Sequence, residues 1–89
     1  MAKVLTSIKI FPSNPEVDLT SLKNEVKNKL PKEASVIRFD EDPIAFGLIA
    51  LIAHITTPEN EPEKINEVEE ALKSLKDVSE IQILSSTRV

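Results

Sequence analysis

The chain has no cysteine, no tryptophan and no tyrosine, and Gly47 is its only glycine. Each absence removes a class of function. Without cysteine there is no disulfide framework, no thiolate metal site and no iron–sulfur ligand, and nothing ties the chain to an oxidising compartment. A single glycine excludes a glycine-rich phosphate loop, and with it the anion loop that an acylphosphatase-like activity would need. Three phenylalanines are the only aromatics, too few for the stacking platform of sheet-type RNA binders. Long apolar runs are missing too. The longest, residues 44–53, is too short to cross a bilayer, and residues 1–9 alternate instead of forming an apolar signal core. A cytoplasmic protein is the expectation.

With 89 residues the chain is long enough for one domain, burying roughly 60 to 65% of the surface its unfolded form exposes. A 40% hydrophobic, 29% charged composition is that of a globular domain and not of a disordered one. Fifteen acidic residues against eleven basic ones give a net charge of -4, with the bases spread along the chain. No nucleic-acid footprint is visible in that distribution.

Residues 3–11 alternate, with Val4, Thr6, Ile8 and Ile10 on one side and Leu5, Ser7, Lys9 and Phe11 on the other, as in a half-buried strand ended by Pro12. Asp18 is placed as a helix cap, Leu19, Leu22, Val26 and Leu30 recur at helical spacing, and Pro31 stops the run. A second strand over residues 35–40 leads into an acidic turn at Glu41, Asp42 and Pro43, and a third, apolar on both parities, covers residues 44–55. Asn60 with Glu63 resembles a capping box ahead of a second helix carrying Ile65, Val68, Leu72 and Leu75, with Glu69 and Lys73 able to pair on its wet side. A last strand after Asp77 sets Ile81 beside Ile83.

The order β-α-β-β-α-β with right-handed crossovers implies an α+β, ferredoxin-like sandwich: a four-stranded antiparallel sheet in the order 4-1-3-2 with two helices on one face. No linker divides it, so residues 1–89 read as a single domain. The opposite face would be open, and the apolar third strand predicts an apolar strip there beside Ser7 and Lys9. His54 has no second histidine or cysteine at ligand spacing and reads as structural, while Asp40, Glu41 and Asp42 read as a solvated turn, not a cation site. No serine–histidine–acid motif with a nucleophile elbow is present. No cofactor or metal is expected.

Residues 42–48, Asp-Pro-Ile-Ala-Phe-Gly-Leu, join the sole glycine to a phenylalanine next to a turn. Together with Phe39 and Glu41, the opening Ala2, Lys3, Val4, Leu5 and the closing Thr87, Arg88, Val89, this stretch resembles the archaeal form of translation elongation factor 1-beta over essentially the whole chain. That family exchanges nucleotide on the GTPase elongation factor 1-alpha. The resemblance implies that GTPase as partner, in its GDP-bound and nucleotide-free forms, with neither nucleic acid nor membrane engaged directly. It implies that Phe46, beside Gly47, contacts the second domain of the GTPase. In eukaryotic relatives the penultimate residue is a lysine that enters the nucleotide site near the magnesium, and Arg88 is its counterpart here, with Val89 beside it as a further candidate contact. Those relatives also carry two lysines where this chain has Ile49 and Ala50, so their contacts are absent or supplied elsewhere, for instance by Lys9 or Arg38.

In this topology Phe46 lies near one end of the sheet and Arg88 at the other, roughly 26 to 30 Å away for a strand of eight or nine residues. The implied mechanism is exchange by binding, without covalent chemistry. An alternative that the fold also permits is a small ligand-binding or oligomerising regulatory module.

Overall fold

Alternation at period two builds the centre of the molecule. The computed structural model describes residues 2–89. It contains β1 (Lys3–Pro12), α1 (Leu19–Lys29), β2 (Ser35–Pro43), a 3-10 turn (Ala45–Gly47), β3 (Ile49–Pro58), α2 (Lys64–Lys73) and β4 (Val78–Arg88). The four strands form one sheet in the order β2-β3-β1-β4, with every neighbouring pair antiparallel. This is the ferredoxin-like α+β arrangement that the element order implies.

The even-numbered residues Thr6, Ile8 and Ile10 of β1 lie opposite Ile55, Ala53 and Leu51 of β3, so both strands turn the same apolar set to one face. Leu22 and Val26 of α1 and Val68 and Leu72 of α2 complete a fully buried cluster with them. Both helices therefore cover that face. The carboxylate of Asp18 caps α1, accepting from the Thr20 amide at 3.1 Å and the Ser21 hydroxyl at 3.0 Å.

Three extra residues set the register of the outer strands. Val36 pairs with Ile55 and Arg38 with His54, which leaves Ile37 as a bulge on β2. Leu84 and Ser79 are skipped in the same way on β4. The bulge at Ile37 explains how Val36 and Phe39, three residues apart, both pack against the core. It also explains why Ile37 is 61% exposed.

Several elements differ from the sequence expectations. β2 continues to Pro43, so Asp40, Glu41 and Asp42 belong to a strand and not to a turn. β3 begins at Ile49 instead of residue 44, because Phe46 and Gly47 both have positive φ and cannot extend a ladder. No side chain caps α2. Glu63 occupies the cap position with helical dihedrals, and the approach to it is built from tight turns, Glu61 N–H to Pro58 O and Lys64 N–H to Glu61 O. Lys64, not Lys73, makes the ion pairs of this helix, with Glu61 and Glu67.

Leu51 lies fully buried in the middle of the cluster. Leu51→Ala is expected to lower unfolding free energy by about 2–5 kcal/mol, read from urea denaturation midpoints at constant m-value.

Candidate partner-binding sites at the two ends of the sheet

The Phe46 turn is assembled from backbone geometry alone. Pro43 ends β2, the Ile44 amide donates to Leu48 O at 2.8 Å, and the Leu48 amide donates to Ala45 O at 3.2 Å. Between these closures the chain reverses through two successive left-handed residues, Phe46 at φ 62° and ψ 31° and Gly47 at φ 76°. Glycine adopts that conformation freely; for phenylalanine it costs on the order of 1–2 kcal/mol. Space is not the reason for glycine at 47, since a Cβ there would meet only Pro15 Cβ, at 4.0 Å. Pro12, Asn14, Pro15, Val17, Leu19 and Ile49 wall a small cleft beneath the turn.

Phe46 itself is 94% exposed. The ring thus combines a strained backbone with no compensating burial, two costs at one residue that the fold does not require. The sequence expectation of a phenylalanine at a strand start is corrected: it crowns the tip of the β2–β3 hairpin.

Arg88 ends β4 at the other extreme. Its Cα faces Val4, and beyond it the Val89 amide donates to Lys3 O at 2.8 Å, while the Lys3 amide donates to Val89 O at 3.4 Å. Ladder pairing therefore runs to the last residue. The guanidinium, 74% exposed, is ion-paired with Glu59 in the connection from β3 to α2. Val89 is exposed beside it. The ten residues of β3 separate the two tips, a span of roughly 33 Å at ~3.3 Å per residue, and the longest dimension of the molecule is 41 Å.

The face away from the helices is mixed: half-buried Leu5, Phe11 and Ile52 lie on it, Ile52 in register between Lys9 and Asp40, and a polar network runs through their midst. His54 sits at its centre, with Nδ1 2.8 Å from Ser7 Oγ and Nε2 2.8 Å from Asp40 Oδ2, and Arg38 reaches the same carboxylate at 3.4 Å. Lys9 pairs with Asp42 at 2.9 Å and lies over the Phe11 ring, 5.4 Å from its centroid. Lys9 and Arg38, candidates for supplying the missing lysine contacts, thus both have carboxylate partners within the chain. Glu41, on the helix side, pairs with Lys23 at 3.1 Å. The hydrogen bond from His54 and the nearby Arg38 guanidinium hold the Asp40 carboxyl below its ordinary value of 3.8.

Sequence reading missed the Ser7–His54–Asp40 chain because its members come from three strands and meet only through register. It is not a hydrolytic triad. Ser7 lies mid-strand, paired across both neighbouring strands, so backbone amides there serve the ladder and form no oxyanion hole. Among the described residues no group of three or more His, Asp or Glu side chains is placed to hold a metal ion, and no helix is long and apolar enough to cross a membrane.

Comparison with known proteins gives this geometry a context. The EF-1 guanine nucleotide exchange domain family matches residues 5–89. An elongation factor 1-beta of Saccharolobus islandicus is 39% identical over 89 residues, covering 100% of this chain and 98% of the relative. The elongation factor 1-beta of Hyperthermus butylicus is 38% identical, with 100% and 97% covered. Among solved structures, the C-terminal domain of the MgtC protein from Mycobacterium tuberculosis superposes with a TM-score of 0.65 over 92% of this chain and 85% of that one, at 14% identity. That likeness concerns the fold alone.

Gly47→Ala is expected to lower stability by about 1–2 kcal/mol through its φ. Phe46→Asn, which tolerates the same region, should leave stability unchanged or raise it; calorimetric melting compares the two. The lowered Asp40 carboxyl makes a second prediction. Its stabilising contribution is present above the unfolded value of 3.8 and is lost as pH falls through the lower folded value. His54→Gln should flatten that acid limb in a plot of denaturation midpoint against pH.

Proposed function

The chain belongs to the EF-1 guanine nucleotide exchange domain family, and we propose on that footing that residues 1–89 act as one cytoplasmic exchange domain on the GTPase elongation factor 1-alpha. Its role is guanine nucleotide exchange in translation elongation. A ligand-binding regulatory module is not favoured by that membership. The factor acts by binding, without making or breaking covalent bonds, and recycles the GTPase from its GDP-bound to its GTP-bound form.

The observation that carries the reading is Phe46: a fully displayed aromatic ring on a strained, backbone-locked tip. Aromatic side chains of this kind are typical anchors in protein interfaces, since they bury a large area while losing few torsions. Phe46, with Gly47 supporting its conformation, anchors the factor on one module of the GTPase. Arg88, with Val89, addresses the nucleotide site at the other end.

GTPases hold their nucleotide through backbone amides, a loop lysine and magnesium bridging the phosphates. A guanidinium brought into that site competes with the metal and weakens the hold on GDP. Coupling of this sort is reciprocal, so incoming GTP loosens the factor in turn. Each tenfold gain in nucleotide release requires ~1.4 kcal/mol of preference for the nucleotide-free GTPase. The chain offers no charge where eukaryotic relatives carry two lysines, because Ile49 is aliphatic and Ala50 fully buried. Any contact that Lys9 or Arg38 makes with a partner is shared with, or drawn from, its ion pair with Asp42 or Asp40.

Release of fluorescent GDP from elongation factor 1-alpha tests the assignment. Arg88→Ala is expected to slow stimulated release at saturating factor with the fold intact, and Phe46→Ala to weaken complex formation in titration calorimetry. Unchanged release or unchanged affinity removes the corresponding residue from the mechanism.

A further inference from the structure

We propose that Glu59 is a positioning residue for Arg88, holding the guanidinium in place before the partner arrives; this rests on the reading of Arg88 given above. The sheet register brings the two residues together. β1 is one of the two inner strands, and its start faces Pro58 through Lys3 on one side and Arg88 through Val4 on the other. Glu59 follows Pro58 directly, and its own amide donates to Ala2 O at 3.3 Å, which ties its backbone to the same end of β1. The carboxylate is therefore mounted on a fixed frame, one third exposed, while the guanidinium it holds is 74% exposed.

Neighbouring charges leave this pair to itself. Glu61 and Glu67 are engaged with Lys64, and Glu59 makes its ion pair with Arg88 alone among the described residues. An unrestrained arginine spreads its cation over many rotamers, and ordering it on binding costs side-chain entropy. A carboxylate that restrains it in the free factor reduces that cost.

The same geometry favours arginine over lysine at position 88. A guanidinium has five N–H donors on a planar fork, so it can stay bonded to Glu59 through one edge and present the other to a partner group. An ammonium can bridge two groups, as Lys64 does, but it lacks the separate planar edges of a guanidinium.

The test uses GDP release from elongation factor 1-alpha with the full chain as wild type, Glu59→Gln, Arg88→Ala and the double variant. Because exposed ion pairs contribute little, Glu59→Gln is expected to lower the maximal stimulated rate only about two- to fivefold at low salt. The half-saturating factor concentration, set at the Phe46 end, should stay within a factor of about two. In the Arg88→Ala background the same substitution should do nothing more, and thermal melting should be unaltered. A faster rate with Glu59→Gln, no change, or an equal loss in both backgrounds overturns the positioning role while leaving that of Arg88 standing. If Arg88→Ala alone leaves release unchanged, the reading of Arg88 fails and Glu59 falls with it.

Discussion

The antiparallel register between β1 and β3 is the constraint from which the rest follows. Pairing Ile10 with Leu51 and Lys3 with Pro58 sends the β2–β3 turn to one end of the sheet and the β3–α2 connection to the other. It aligns the two apolar rows that the helices cover, and it places His54 across from Ser7. A slip of one residue would turn Leu51, Ala53 and Ile55 to the open face. The buried Ile8, Ile10, Leu51, Ala53 and Ile55 oppose any such slip, so the core holds the two ends of the sheet apart.

A spacer with a proposed contact residue at each tip suits an exchange factor. Gripping one module of a GTPase through an aromatic anchor converts the second contact, at the nucleotide, into an event within a single complex. Weak terms at the Arg88 end then matter more than they would alone. In the proposed mechanism the anchor need only hold, and the charge at the far end discriminates between nucleotide-bound and nucleotide-free partner.

Much of this was legible in the residues. Ile8, Ile10, Leu22, Val26, Val68 and Leu72 announced their faces by period, and Asp18 and Pro31 marked the ends of α1. Residues 44–48 were misread as strand, since their composition is apolar and only the dihedrals of Phe46 and Gly47 disclose the reversal. The polar network on the open face was also hidden. Ser7, Asp40 and His54 lie 47 and 14 residues apart in pairs, and no local pattern joins them. One signal was available: Val36 and Phe39 are three apart in a strand, a spacing that reaches the same face only across an extra residue. Glu59 carried no sequence signal, being one acid among several near Pro62.

The bulges have a consequence for how the molecules behave toward one another. All three inserted residues, Ile37, Ser79 and Leu84, fall on β2 or β4, the strands at the margins of the sheet. An uninterrupted margin is a template on which a second chain can continue the ladder, and irregular margins frustrate that growth. Copies of this protein crowded together are thereby discouraged from zipping into larger sheets.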